Sequence, residues 1–245
     1  MTALDRRLLS DKDISPQDRL IVALDTPSVD DAKQFVEDLG DNVRFYKLGL
    51  ELFMAGGYFE LIDWLAERNK KTFIDLKFFD VPQTVGSAVR QLRGKKVQFV
   101  TVHGNDSILE AACEQKNGIQ ILAVTVLTSL DQSDMDDLGF KVDIPDLVLS
   151  RARRALNIGC DGVISSGLEA KALRNELGQR FLIVVPGIRP GVRERSDDQK
   201  RTVDVEEAFL SGADHIVVGR PIRTAPDPRA EAASIQERIR TLFGH

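Results

Sequence analysis

The residues best suited to chemistry lie in one run, Thr72-Phe73-Ile74-Asp75-Leu76-Lys77-Phe78-Phe79-Asp80-Val81-Pro82-Gln83-Thr84. Its first half has the β-rich apolar residues of a buried strand, Phe73, Ile74 and Leu76. Asp75 and Lys77 are set into that strand two residues apart, and the two-residue repeat of a strand turns both toward the same side of the sheet. An acid and a base in apolar surroundings are costly unless they are paired. Asp80 follows where Val81-Pro82 ends the strand, which places it on the rim. Such groups can stabilise a developing charge and move a proton. Taken alone, they also fit a salt bridge that finishes a strand end.

A run of this kind needs a frame, and the chain repeats one. Leu20-Ile21-Val22-Ala23-Leu24 is a buried strand stopping at Asp25. Ser28 is placed to cap a helix with Asp30 and Asp31 in its first turn, apolar at Val29, Ala32, Phe35, Val36 and Leu39, and ended by Gly40. Further strands are predicted over 44–48, 97–102, 119–126, 162–164, 181–185 and 215–218, with the opening run as the third strand, ended by Val81-Pro82, and helices over 58–69, 83–93 and 106–115. Eight short apolar strands alternating with amphipathic helices predict an α/β fold, a (β/α)8 TIM barrel in one domain over residues 20–245. Residues 1–19 are polar and read as a loose N-terminal arm or a short surface helix. A doubly wound open sheet is the alternative, but it rarely needs eight such units.

In such barrels the active site lies at the C-terminal ends of the strands. Asp25, Lys47, Asp75, Lys77, His103, Thr128, Ser165, Arg189 and Arg220 all fall there, too many for scattered strand-end salt bridges. The loops after strands seven and eight, a common phosphate site, pair Gly187 with Arg189 and Gly219 with Arg220. Glycine lets backbone N–H groups approach an anion, and arginine matches phosphate oxygens with a two-pronged fork. The stretch 187–202 is long and highly charged, either a lid or a solvated loop. His103 can touch a ligand or serve as a hydrogen-bonded structural residue. His215 is expected to pack in strand eight, and His245 is terminal. No histidine or cysteine spacing suggests a metal site.

Composition narrows the partners. The 245 residues are 42% hydrophobic and 29% charged, with a net charge of -5, so no general attraction to nucleic acid or anionic lipid is expected. Any bound anion must be held by a local cluster. Two cysteines, Cys113 and Cys160, suggest no disulfide framework. No apolar run reaches the roughly 20 residues of a membrane span, and the N-terminus lacks a signal-peptide core. A cytoplasmic protein is predicted.

The run Asp75 to Thr84 resembles the D-x-K-x-x-D-[IV]-P-x-T signature of the orotidine 5′-monophosphate decarboxylase family. The resemblance continues in order through Val22-Ala23-Leu24-Asp25, Lys47-Leu48-Gly49, Val102-His103, Val124 to Ser129, Pro186 to Pro190, Asp198-Gln199 and Gly219-Arg220-Pro221. It implies loss of CO2 from orotidine 5′-monophosphate to give UMP, without a metal or organic cofactor. It further implies a homodimer in which Lys47, Asp75 and Lys77 form a charged network with Asp80 of the other subunit, and Lys77 donates a proton to C6. Asp25 and Lys47 would hold ribose hydroxyls, helped by Asp80 and Thr84 across the interface. Thr128, with Ser129, would contact the pyrimidine edge, and Arg189, Gln199, Arg220 and the Gly219 backbone would hold the phosphate. Two alternatives remain: a Mg²⁺-dependent sugar-phosphate decarboxylase or synthase sharing D-x-K-x-x-D, and a non-catalytic phosphate-binding barrel. The Val81-Pro82-Gln83-Thr84 continuation argues against the first. The filled Asp75 and Lys77 positions argue against the second.

Overall fold

A computed structural model describes residues 8–190 and 201–244. The first seven residues, most of the charged stretch with Gln199, and His245 lie outside the described residues. Eight parallel strands close on themselves in sequence order: β1 (Leu20–Ala23), β2 (Phe45–Leu48), β3 (Lys71–Phe78), β4 (Val97–Val102), β5 (Gln120–Val124), β6 (Gly162–Ile164), β7 (Leu182–Val185) and β8 (His215–Val218). The ring is sealed by Ile21 of β1 standing opposite Val217 of β8. This is the predicted (β/α)8 barrel. Strand five is shorter than expected, and two helices, Gln132–Asp137 and Ile144–Ile158, occupy a stretch for which the sequence pattern predicts no element.

The strands carry two apolar faces, so their sequences do not alternate, yet their side chains do. Ile21, Phe45, Phe73, Phe99, Leu122 and Val184 fill the barrel interior. Their neighbours Leu20, Val22, Tyr46, Ile74, Val100 and Ile183 pack outward against the helices. The inner stack is the rigid base on which the strand ends stand.

Of the two readings of the N-terminal arm, its described part takes the short helix, at Pro16–Arg19. Ile14 packs onto the interior cluster, and the short Pro16–Arg19 helix buries Arg19. The cause is Asp214, a fully buried carboxylate at the start of β8. It accepts from Ser10 Oγ at 2.5 Å, Lys12 Nζ at 3.0 Å, Arg174 Nη2 at 2.5 Å and the Ile183 N–H at 2.8 Å. Burial pushes this carboxyl up, but Arg174, Lys12 and the hydrogen bonds outweigh it and hold it below the usual range. A buried charge must be paired, so the arm is drawn across the barrel floor to help pair it.

His215 packs in β8 as expected, its Nδ1 2.8 Å from the Asp18 carbonyl and its ring edge-on to Phe45 and Phe99. Burial lowers its pKa to about 4. Between the ordinary histidine value of 6.5 and about 4, the unfolded chain binds a proton that the folded one refuses, so stability falls as pH falls through that window. The full loss is roughly 3 kcal/mol. Denaturant titrations from pH 7 to pH 4 on the wild type and on His215→Asn should show that slope only in the wild type.

Candidate active site

Strand β3 sets the site. Phe73, Asp75 and Lys77 face inward while Ile74, Leu76 and Phe78 pack outward, as the two-residue repeat requires. The strand is nonetheless irregular. Its pairing with β4 passes from Ile74 opposite Val100 to Phe78 opposite Val102, and Lys77 takes a left-handed backbone with φ of 47°. A non-glycine residue held there costs on the order of 1–3 kcal/mol, and it persists only where neighbours enforce it.

The enforcing neighbour is Thr101 on β4. Its Oγ1 accepts the Lys77 backbone N–H at 2.9 Å and donates to Asp75 Oδ1 at 2.9 Å. One hydroxyl thus fixes both the lysine's backbone and the carboxylate beside it. The sequence reading missed Thr101, although it stands two residues beyond the inward-facing Phe99. Thr101→Val keeps the shape and deletes both bonds. It is expected to cut turnover by about ten- to a hundredfold, from the roughly 1.5–3 kcal/mol of a hydrogen bond to a charged group. Thr101→Ser should restore most of the rate in the same steady-state assay.

Asp75 Oδ1 lies 3.0 Å from Lys77 Nζ, and Asp75 Oδ2 lies 3.5 Å from Lys47 Nζ. Lys47 reaches Asp25 Oδ1 at 3.2 Å. The result is a chain of alternating charge, Lys77–Asp75–Lys47–Asp25, contributed by β3, β2 and the end of β1. Asp75 and Lys47 are 14% and 13% exposed, whereas Lys77 and Asp25 are 37% and 42% exposed, so the chain has a shielded middle and two more open ends. Burial alone would drive the Lys47 ammonium down, but Asp75 and Asp25 more than offset it and raise its pKa. Burial likewise pushes Asp75 up, and Lys47, Lys77 and the Thr101 bond hold it below its ordinary value. Gly49 leaves room for this pairing, because a side chain there would meet Lys47 Nζ at 3.2 Å.

These groups open into a cleft of about 610 Å³. Asp25, Lys47, Asp75, Lys77, Thr128, Ser129, Arg189, Gly219 and Arg220 all line it, above a floor that includes Phe73, Val124, Ile164 and Val217. Gly187, with φ of 74°, turns the chain after β7 so that Arg189 stands at the rim. Arg223 joins the lining from the same short helix as Arg220, three residues on, where a helix presents the same face.

Other candidates stand elsewhere. Ser165 is fully buried and outside the cleft, and His103 lines a separate apolar cavity with its ring against Phe79. Arg201, at the end of the charged stretch, is neither solvated nor in the cleft. It pairs with buried Glu169 at 2.5 Å and donates to the Leu127 carbonyl, pinning the loop that carries Thr128. Asp80 and Thr84 are exposed and do not line the cleft of their own chain. Gln199 is outside the described residues. Among those described, no group of three His, Cys, Asp or Glu residues is placed to hold a metal ion, and no helix is long and apolar enough to cross a membrane.

Two ammonium groups and two carboxylates wired together at the catalytic end of a closed barrel define a (β/α)8-barrel enzyme. Residues 18–235 match the model of the Orotidine 5'-phosphate decarboxylase / HUMPS family, and the chain belongs to that family. It is 60% identical over 235 residues to the orotidine 5'-phosphate decarboxylase of Methylococcus capsulatus, covering 96% of this chain and 97% of that one. With the enzyme of the same name from Xanthomonas campestris pv. campestris the identity is 51% over 229 residues, covering 93% and 94%. The crystal structure of orotidine 5'-phosphate decarboxylase from Lactobacillus acidophilus superposes with a TM-score of 0.79 at 34% identity, covering 93% of this chain and all of that one.

Proposed function

We propose that this carboxy-lyase converts orotidine 5′-monophosphate to UMP and CO2, the last step of pyrimidine nucleotide synthesis, in the cytoplasm and without a cofactor. The observation that carries the reading is the Lys77–Asp75–Lys47 chain facing the Arg189 and Arg220 loops across one cleft. The same cleft thus offers a charged network to a reacting ring and two arginine-bearing loops to a phosphate.

Decarboxylation here leaves an electron pair on an sp² ring carbon with no adjacent carbonyl to accept it. A fixed ammonium is the group available to stabilise that charge, and Lys77 then delivers its proton to C6. Repulsion between Asp75 and the substrate carboxylate is a smaller effect. Two like charges about 4 Å apart are worth roughly 4 kcal/mol at an effective dielectric of 20, against the roughly 8–23 kcal/mol by which enzymes commonly lower a barrier. Asp75 is also paired with two lysines, which weakens its repulsion further. Its chief role is to hold Lys47 and Lys77 in place.

Asp25 and Lys47 bind the ribose hydroxyls, Thr128 and Ser129 the pyrimidine edge, and Arg189, Arg220 and the Gly219 backbone the phosphate, a role that the family resemblance also gives to Gln199. Binding energy from the phosphate end orients the ring and so enters the rate. Arg220→Ala is expected to remove about 3–6 kcal/mol, the worth of two charge-assisted bonds, or at least about a hundredfold in kcat/KM on the nucleotide. On orotidine, which lacks the phosphate, the same substitution should change little. Equal losses on both substrates would remove Arg220 from the phosphate site.

The active unit is a homodimer in which Asp80 and Thr84 complete the neighbour's cleft. Their absence from their own cleft supports this, as do the flanking Phe79 and Val81, 68% and 62% exposed. The deciding assay follows loss of orotate absorbance from orotidine 5′-monophosphate in EDTA. Turnover there supports the proposal over both alternatives, since a Mg²⁺-dependent sugar-phosphate enzyme or a silent barrel would leave the absorbance unchanged.

A further inference from the structure

Cys113 and Cys160 lie 47 residues apart in sequence, in no recognised motif, yet their sulfurs are 3.6 Å apart. Cys113 sits in the last turn of the Asp106–Glu114 helix, and Cys160 just before β6. Both are therefore at the N-terminal end of the strands, opposite the cleft. The contact is braced on each side. Lys116, one turn beyond Cys113, donates to the Gly159 carbonyl at 2.9 Å and to Asp161 Oδ1 at 3.0 Å, the two residues flanking Cys160. Asp161 also accepts the Ile121 N–H at 2.8 Å, which anchors the same segment to β5. An ion pair thus holds the two cysteine-bearing segments against each other.

We propose that Cys113 and Cys160 form a redox-active dithiol, a modification site that a hydroperoxide converts to an intramolecular disulfide. A disulfide needs its sulfurs about 2.0 Å apart, so the pair must close by about 1.5 Å. Gly159, with φ of 107°, is the glycine turn that ends the Ile144–Ile158 helix and hands the chain to Cys160, and a Cβ there would meet nothing within 4 Å. In the first step the half-buried Cys113 thiolate attacks one peroxide oxygen. The O–O bond breaks, Cys113 becomes a sulfenic acid, and hydroxide or alkoxide leaves. The Cys160 sulfur then attacks the sulfenic sulfur, the S–O bond breaks, and the Cys160 proton departs with the hydroxide as water. Two thiols are oxidised by two electrons and one peroxide is reduced, so the reaction balances.

The division of labour follows the surroundings. The sulfur–sulfur hydrogen bond favours the Cys113 thiolate against the opposing effect of burial, and Lys116 adds to it. The same hydrogen bond and deeper burial keep Cys160 protonated. Cys160 also lines a cavity of about 520 Å³ with Lys12, Arg153 and Arg180 in its wall. Its position fits the resolving partner, and that of Cys113 fits the attacking one.

Reduced full-length protein treated with hydrogen peroxide tests this. Both thiols should disappear from maleimide labelling under denaturing conditions, with an intact mass lower by two hydrogens and full recovery in dithiothreitol. Non-reducing electrophoresis should show a single chain. Cys160→Ser should accumulate a sulfenic acid at Cys113 that dimedone traps, and Cys113→Ser should trap far less. Serine nearly matches cysteine in volume, so both variants should fold. Persistence of both thiols, a gain of oxygen mass at Cys113 in the wild type, or chain-to-chain crosslinks would each overturn the assignment.

Discussion

Lys77→Ala is expected to abolish turnover while leaving nucleotide binding measurable. Two contributions are lost together. Proton delivery by a positioned group commonly contributes about 10²–10⁴ in rate, and a fixed charge aimed at the developing carbanion about 10²–10³. Their product puts the residual rate below a routine assay. Binding should survive, because Asp25, Lys47, Thr128, Arg189 and Arg220 line the cleft independently of Lys77. Asp75 also stays paired through Lys47 at 3.5 Å and hydrogen-bonded to Thr101, so the site should not collapse around an orphaned carboxylate. Calorimetric titration with UMP, run beside the absorbance assay, measures both effects. Turnover near the wild-type level would refute the proton-donor role, and loss of UMP binding alongside activity would mean that Lys77 mainly holds the site together.

The pattern of charged strand ends was legible because a parallel barrel puts each strand's C-terminus at one mouth, so chain order becomes spatial convergence. Asp75 and Lys77 were readable for the same reason, as polar residues inside an otherwise apolar strand. What the strand pattern could not carry was who touches whom. Thr101 reads as an ordinary β-favouring residue, and only the irregular β3–β4 pairing turns its hydroxyl into the brace between Lys77 and Asp75. Arg201 reads as one more charge in a charged stretch, yet it is buried against Glu169. Asp214 reads as a turn residue, and its burial is what draws Ser10 and Lys12 across the barrel floor. The two cysteines meet only after the Asp106–Glu114 helix packs against the Ile144–Ile158 helix, whose end leads into Cys160. In each case local propensity is satisfied and a long-range partner decides the role.

Asp80 is the residue whose role depends most on assembly, and mixing two inactive variants separates the possibilities. Asp80 is exposed, its Oδ1 accepts only the neighbouring Val81 N–H among the hydrogen bonds of the described residues, and it does not reach its own cleft. If it completes the partner's site, Asp80→Ala and Lys77→Ala are each inactive as homodimers, for different reasons. When the two are unfolded together and refolded in equal amounts, half the dimers are hybrids by random pairing. In each hybrid one cleft carries both defects. The other has Lys77 from its own chain and Asp80 from its partner, and is intact. Activity should therefore return to about a quarter of the wild-type level, as a shared two-fold interface requires. Were Asp80 to serve its own chain instead, every cleft in every dimer would keep a defect and the mixture would stay silent.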